Sequence, residues 1–136
     1  MCRLYVYHVI CESSTVTEDE IVNGITLNER RRDRCLAFIR HVNNINLQHP
    51  KAWRFIDMTA DGQLDTEAKQ LMTSLREETI RELLPAENIF RFEAEWSDDE
   101  GINETQHAEY LQQFCETFKK ALKQQIGSCA CMTEFF

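Results

Sequence analysis

The sequence predicts a single α/β domain, a three-layer-like arrangement of a small mixed sheet of about four strands and two long amphipathic helices. Apolar runs of strand length alternate along the chain with long stretches of helical periodicity. The 136 residues are enough for one domain with a substantial core. No internal repeat or low-complexity segment divides residues 1–136, which we therefore interpret as one domain.

The first elements are a short strand and a capped helix. Residues 4–10, LYVYHVI, predict a strand. Within residues 1–12 this strand either pairs with the sheet or belongs to an upstream domain. Thr17 and Glu20 form a capping box, so a helix is expected to begin there, and Gly24 ends it or weakens it.

The middle of the chain predicts two further strands. Residues 27–34 favour a second short helix, and residues 35–42, CLAFIRHV, are mostly apolar, as in a strand buried on both faces. Cys35 is then a small core residue. A loop containing Pro50 follows, and residues 52–58 predict the next strand.

An acidic turn then begins the first long helix, predicted over residues 66–84. Gly62 supplies a positive φ where the turn needs one, Asp65 is the helix N-cap, and Pro85 stops the helix. Its apolar residues recur at helical spacing, as expected for one face packed on a sheet. They are Ala68, Leu71, Met72, Leu75, Ile80, Leu83 and Leu84.

Residues 89–96 alternate between apolar and charged side chains, which predicts a half-exposed strand at a sheet edge. The inward-facing residues are Phe90, Phe92, Ala94 and Trp96, and the outward-facing ones are Arg91, Glu93 and Glu95. Aromatic residues at this period are typical of a buried face, so we interpret Trp53 and Trp96 mainly as core residues too.

A second long helix is predicted over residues 105–126, with Gly127 as its C-cap and residues 127–136 as a flexible tail. Cys115 is expected to be a small core residue within its apolar stripe. The stripe comprises Leu111, Phe114, Cys115, Phe118, Leu122 and Ile126.

The charge balance argues against a nucleic-acid or anionic-membrane partner, because 23 acidic residues face 15 basic ones and the net charge is −8. The N-terminal apolar run is too short and too interrupted for a signal peptide or a membrane span. Six cysteines without a CxxC pair give no spacing support for zinc. We therefore expect a cytoplasmic protein whose partners are proteins.

The acidic turn is the one candidate metal site. Asp57, Asp61 and Asp65 lie where a calcium loop would place its ligands, but Ala68 occupies the position of the bidentate glutamate. A turn followed by a helix N-cap explains the same residues. A small calcium-responsive protein using this loop is one alternative function.

No catalytic or cofactor-binding motif is present. The isolated glycines form neither a GxGxxG nor a GxxxxGK[ST] pattern, and there is no GxSxG. A pairing of Cys35 with His41 has no specific spacing. A second alternative is a small α/β hydrolase that uses Asp98 and Asp99 near a pocket at the strand C-termini. We expect that the chain is not an enzyme and binds no cofactor.

Four colinear segments resemble one family: TVTEDEIVNGI, RCLAFIRHV, RFIDMTADGQLDTEAKQLMTSLRE and HAEYLQQFCETFKKAL. Over residues 13–126 the chain is similar to the segment between the N-terminal α/β domain and the NACHT ATPase in NACHT and WD-repeat domain-containing proteins. The ending GSCACMTEFF departs from a continuing NACHT module. The resemblance therefore indicates a fragment, a short isoform or a free-standing paralogue.

The resemblance implies a non-enzymatic linker or regulatory interaction module of a signalling ATPase. The family's Walker residues have no counterpart in this chain, so no nucleotide-binding residue is implied. The second long helix would relay the state of a neighbouring domain, or the chain would self-associate. The residues expected to make protein contacts are Phe114, Phe118, Leu122, Arg91, Glu93 and Glu95.

Overall fold

A computed structural model describes residues 5–9, 25, 29–98 and 101–131 of the chain. The described strands are β1 (Tyr5–Val9), β2 (Cys35–Asn43) and β3 (Ile89–Glu95). The described α-helices are α1 (Thr66–Ser74), α2 (Ile80–Leu83) and α3 (Ala108–Cys131). The mixture of helix and strand is the predicted one, whereas the capping box Thr17–Glu20, with Gly24, lies outside the described residues.

The three described strands form one parallel sheet in the order β1-β2-β3. Tyr5 is paired with Cys35, and Ala37 is paired with Ile89. The predicted mixed strand direction is therefore wrong for this sheet. Parallel pairing follows from the long connections, because each one returns the chain to the edge where the previous strand began.

The central strand β2 is buried on both faces, as its continuous apolar sequence predicts. Cys35, Ala37 and Ile39 pack in the first core cluster, under α1 and α2. Ile25, which is helical, also packs there and is 1% exposed. The buried members of this first cluster are Ile25, Cys35, Ala37, Ile39, Met72, Leu75, Ile80 and Leu84.

The second core cluster lies on the opposite face of the sheet, under α3. Phe38 is its centre, because the ring centroids of Phe90 and Phe118 lie 5.0 and 5.2 Å from its own. The other members are Leu36, Phe92, Ala121, Tyr110 and Phe114. With helices on both faces, the sheet forms the middle of three layers.

Residues 66–83, predicted as part of one long helix, are helical but do not form one long regular α-helix. Asp65 caps the start of α1, since its Oδ1 accepts a hydrogen bond of 2.9 Å from the Ala68 amide. A π-helical turn, Leu75–Thr79, separates α1 from α2, and Pro85 follows the last turn. A π turn contains one residue more than an α-helical turn, so the spacing of the apolar residues does not predict it.

Helix α3 begins at Ala108, three residues after the predicted start, and continues through Gly127 to Cys131. The predicted C-cap is therefore wrong, because Gly127 keeps helical backbone angles and does not adopt a positive φ. The packed face is rotated from the predicted stripe: Cys115 is exposed and Ile126 is 59% exposed. The face that meets the sheet comprises Tyr110, Phe114, Phe118 and Ala121.

The strand predicted over residues 52–58 does not form. Ala52–Arg54 is a short 3-10 helix, and Met58 makes only an isolated antiparallel bridge with Leu64. The backbone of this stretch forms local hydrogen bonds instead: the Ala52 amide donates to the His49 carbonyl, and the Phe55 amide donates to the Ala52 carbonyl, each at 2.9 Å. Trp53, predicted to lie in the core, is in this short helix and is 62% exposed.

A hydrogen-bonded link centred on the Asp33 carbonyl joins the amino-terminal ends of β2 and β3 to α3. The Asp33 carbonyl accepts hydrogen bonds of 2.9 Å from both Asn88 Nδ2 and Gln125 Nε2. Residues 27–34, predicted as a short helix, include the 3-10 helix Glu29–Arg34 that positions this carbonyl. Asn88 is 5% exposed, so the link satisfies an otherwise costly buried amide.

Candidate functional site at the carboxyl ends of the strands

A cavity of about 190 Å³ lies between the carboxyl end of β2, the following loop and helix α1. We call it the carboxyl-edge cavity. In open α/β sheets this edge is where ligands generally bind. Its lining comprises Arg40, His41, Val42, Ile45, Phe55, Ile56, Asp57, Lys69, Met72, Thr73, Arg76 and Glu77.

A second cleft of about 440 Å³, wider at its mouth, adjoins this cavity. His41, Val42, Ile45, Ile56 and Lys69 line both. The two spaces therefore form one groove along the strand ends.

The loop after β2 is held in place by aromatic packing at the end of β3. Asn44 leaves the strand with a φ of 56°, and the Trp96 amide donates to the Asn43 carbonyl at 2.9 Å. The Trp96 ring meets Phe55 edge-on at 5.2 Å and His49 at 5.4 Å. These contacts fix one wall of the carboxyl-edge cavity.

Gly101 allows this packing. The Ser97 and Gly101 amides exchange hydrogen bonds of 2.9 and 2.8 Å, and Gly101 has a φ of 79°. A Cβ at Gly101 would lie 2.6 Å from the Phe55 ring and 3.0 Å from Trp96. Glycine is therefore required both by the backbone angle and by the close approach.

Two charged networks flank the groove. Arg91 Nη1 donates to Glu77 at 2.6 Å, and Arg91 Nη2 donates to the Arg76 carbonyl at 3.0 Å. Glu95 accepts hydrogen bonds from the side-chain amides of Asn43 and Asn44 at 3.0 and 2.9 Å. The first network joins β3 to the π turn, and the second joins the carboxyl end of β3 to the carboxyl end of β2.

The three candidate calcium ligands each have a structural role. Asp65 caps α1, the Asp57 carbonyl accepts from the Asp65 amide at 3.0 Å, and Asp61 accepts a short hydrogen bond from the Thr59 hydroxyl. Gly62 has a φ of 78°, as the turn chemistry predicts. Within the described residues, no group of three or more His, Cys, Asp or Glu side chains could hold a metal ion.

The acids assigned to a hydrolase are not gathered at a cavity by the described structure. Asp98 accepts hydrogen bonds from Trp96 Nε1 at 3.1 Å and Asn46 Nδ2 at 3.3 Å, and it lines neither of the two spaces of the groove. Asp99 lies outside the described residues. Cys35 is fully buried in the core, whereas His41 is exposed, so they do not form a nucleophile and base pair.

Burial also governs the chemistry of Cys35. Desolvation raises the pKa of its thiol above the usual 9.0, and the nearby Asp33 carboxylate raises it further. A thiol held in the protonated form is a poor nucleophile. This agrees with the prediction that Cys35 is a core residue.

The residues predicted to contact a partner fall into two groups. Phe114, Phe118 and Leu122 are half-buried, and both phenylalanines pack on Phe38. Arg91, Glu93 and Glu95 are exposed on β3, although Arg91 and Glu95 also bind within the chain. Their role in binding a partner stays a prediction.

Two features were missed by the sequence reasoning. His107 is 8% exposed and joins the loop to β3, since its Nε2 lies 2.6 Å from the Glu95 carbonyl and its Nδ1 accepts from the Asn103 amide at 3.1 Å. The basic residues of the carboxyl-edge cavity were also missed. The helical spacing of Lys69, Met72, Thr73 and Arg76 is the signal that would have found them.

A scan against protein-family models and searches of curated proteins and of solved structures found no match to this chain. Within the part of the chain that the structure describes, every helix is too short or too polar to cross a bilayer.

Proposed function

We propose that this chain is a non-enzymatic, cytoplasmic regulatory interaction module related to the linker segment of NACHT and WD-repeat signalling ATPases. The supporting observation is where the similar segments lie. RCLAFIRHV forms β2, the segment from Arg54 to Glu77 forms the turn, α1 and the start of the π turn, and the last segment forms most of α3. These elements are the central strand and one covering helix on each face.

Helix α3 is the element suited to relay a signal. With 24 residues it is about 36 Å long. Phe114 and Phe118 attach it to the sheet, and Gln125 attaches it near the amino-terminal strand ends. An element fixed at two separated points moves as one body, as relay between neighbouring domains requires.

A partner has two surfaces to bind. Ile126 is 59% exposed towards the end of α3, and the exposed Lys123 lies three positions before it, on the neighbouring turn of the helix. On β3, Glu93 and Glu95 are exposed. In this proposal Ile126 makes the apolar contact and the charged side chains form a polar rim, as in other protein interfaces.

The test is binding to a purified NACHT ATPase module from a NACHT–WD-repeat protein. We expect saturable binding by isothermal titration calorimetry and a changed ATPase rate when the chain is added. Ile126→Asp should weaken binding about tenfold. Gln113→Asp, an exposed change about 20 Å away on the same helix, is the matched control and should have no effect.

Absence of binding at about 100 μM chain, with the ATPase rate unchanged, would overturn the proposal. Equal loss of binding in Ile126→Asp and Gln113→Asp would overturn the assignment of the surface. Denaturing mass spectrometry of the native polypeptide separates the remaining cases: a mass far above 16.0 kDa means a module within a larger protein, and a matching mass means a free-standing relative.

A further inference from the structure

One face of helix α1 and of the π turn that follows it lines the carboxyl-edge cavity. Lys69, Met72, Thr73 and Arg76 all line it, at the spacing i, i+3, i+4 and i+7 that places side chains on one helix face. Met72 is 3% exposed and anchors this face in the first core cluster. The polar members therefore stand at the mouth of the cavity on a fixed support.

The lining carries an excess of positive charge. Arg40, Lys69 and Arg76 are set against Asp57 and Glu77, and Glu77 already binds Arg91 from outside the lining. This excess contrasts with the net charge of −8 on the whole chain. A local basic site in an acidic protein concentrates anions at that point.

The remaining lining is largely apolar. Val42, Ile45, Phe55, Ile56 and Met72 line the same cavity. The guanidinium carbon of Arg40 lies 5.9 Å from the centre of the Phe55 ring, so cationic and aromatic walls meet. Apolar walls with a few convergent polar groups are the usual composition of a small-molecule site.

The helix beside the cavity contains a π turn, an irregularity that is frequent at functional sites in other proteins. The π turn Leu75–Thr79 interrupts the helix at this point and supplies Arg76 and Glu77 to the lining. Single π turns inside α-helices are rare and occur frequently at functional sites. Here the turn presents Glu77 to Arg91 while Arg76 lines the cavity.

We propose that the carboxyl-edge cavity binds a small organic anion with a compact apolar body. The carboxylate or phosphate group lies against Lys69 and Arg76, and the apolar body lies against Met72 and Ile56. The proposal goes beyond the regulatory function and does not rest on it, because binding is measured on this chain alone. Charge and apolar contact are both needed, since either alone gives only weak binding in water.

The experiment is an NMR titration of the ¹⁵N-labelled chain with phenyl phosphate. Phenol is the neutral analogue, and inorganic phosphate is the anion without an apolar body. We expect saturable shifts at the amides of residues 40–42 and 69–76 with phenyl phosphate. Phenol and inorganic phosphate should each bind about tenfold more weakly.

Lys69→Gln tests the cation directly. Lys69 is exposed, and glutamine has a similar helix propensity, so the fold should be kept. The variant should weaken phenyl phosphate binding about tenfold and leave phenol binding unchanged. Lys119→Gln, an exposed lysine on α3 outside the lining, is the matched control and should bind as the wild type does.

Three results would each overturn the proposal. One is the absence of saturable shifts up to about 10 mM phenyl phosphate. The second is equal affinity for phenyl phosphate in the wild type and in Lys69→Gln. The third is a set of shifts located away from the carboxyl-edge cavity. The regulatory proposal would survive any of them, because its test measures binding of an ATPase module.

Discussion

At the scale of single residues, the acidic turn is organised by one hydroxyl group. The Thr59 hydroxyl donates to Asp61, and its oxygen accepts from the Gln63 amide at 3.2 Å. The hydrogen bond from Thr59 lowers the pKa of the Asp61 carboxyl below its usual 3.8, and hydrogen bonds from the backbone of Asp61 and Gln63 add to this. A hydrogen bond to the charged form favours that form.

Removing the hydroxyl with Thr59→Val should therefore raise the pKa of Asp61 towards 3.8. Because the folded pKa is lowered, Asp61 contributes stability above its usual pKa, and the contribution is lost as the pH falls through the folded value. In the variant this acid-side loss should be smaller. NMR titration of the Asp61 carboxyl carbon measures the shift.

Thr73→Val is the control for this measurement, because Thr73 donates to the Lys69 carbonyl in a helix and does not contact Asp61. An unchanged Asp61 pKa in Thr59→Val would show that the backbone amides, and not the hydroxyl, set its value.

Local chemistry explains which residues could be predicted from the sequence. The positive φ of Gly62 and the capping by Asp65 depend on neighbours within a few positions, so both can be predicted from the sequence. Gly101 must be glycine because the Phe55 ring, 46 positions away in sequence, leaves no room for a Cβ. His107 is held by the Glu95 carbonyl, 12 positions away. Such requirements arise only when tertiary packing brings those segments together.

At the scale of elements, the start of α1 is the point where the calcium and capping interpretations diverge. In the structure Asp65 Oδ1 accepts from the Ala68 amide, which is the bond of an N-cap. Asp65→Ala should then lower the free energy of unfolding by about 1 kcal/mol. Thermal unfolding followed by circular dichroism measures this.

Asp65→Asn is the matched variant, because asparagine keeps an oxygen acceptor and caps about as well as aspartate. The calcium alternative requires another pattern: millimolar calcium would raise the melting temperature of the wild type, and Asp65→Asn would abolish that rise. Equal stability of Asp65→Ala and the wild type would exclude the capping role.

Two features were predicted wrongly, the strand over residues 52–58 and the packed face of α3. Residues 52–58 have strand propensity, but their first residues form a 3-10 turn with local hydrogen bonds, and Phe55 and Ile56 line the carboxyl-edge cavity. On α3 several apolar residues compete for the packed face, and periodicity alone does not decide between them. The rings around Phe38 select Tyr110, Phe114 and Phe118 and leave Cys115 and Ile126 outside.

At the scale of the whole molecule, β2 joins two separate core clusters through one strand. The first cluster holds α1 and α2, and the second holds α3. The burial of β2 was predictable, because six of the eight residues from Cys35 to Val42, CLAFIRHV, are apolar. Which helices cover which face of the sheet was not predictable, since that depends on contacts between segments far apart in sequence.

The attachment of α3 is therefore the property on which the relay proposal depends. Phe114 and Phe118 are half-buried, and their rings lie 5.8 and 5.2 Å from Phe38. The double variant Phe114→Ala, Phe118→Ala should lower the free energy of unfolding by about 3 kcal/mol, less than two fully buried phenylalanines would cost. The melting temperature should fall by about 10 °C.

Lys119→Ala, Lys123→Ala is the matched control, because it changes two exposed residues at the same spacing on the same helix. Its stability should stay within about 0.5 kcal/mol of the wild type. If the phenylalanine variant kept full thermal stability, Phe114 and Phe118 would not fix α3 to the sheet. They would then belong to a binding surface, and α3 would bind its partner directly instead of transmitting movement through the domain.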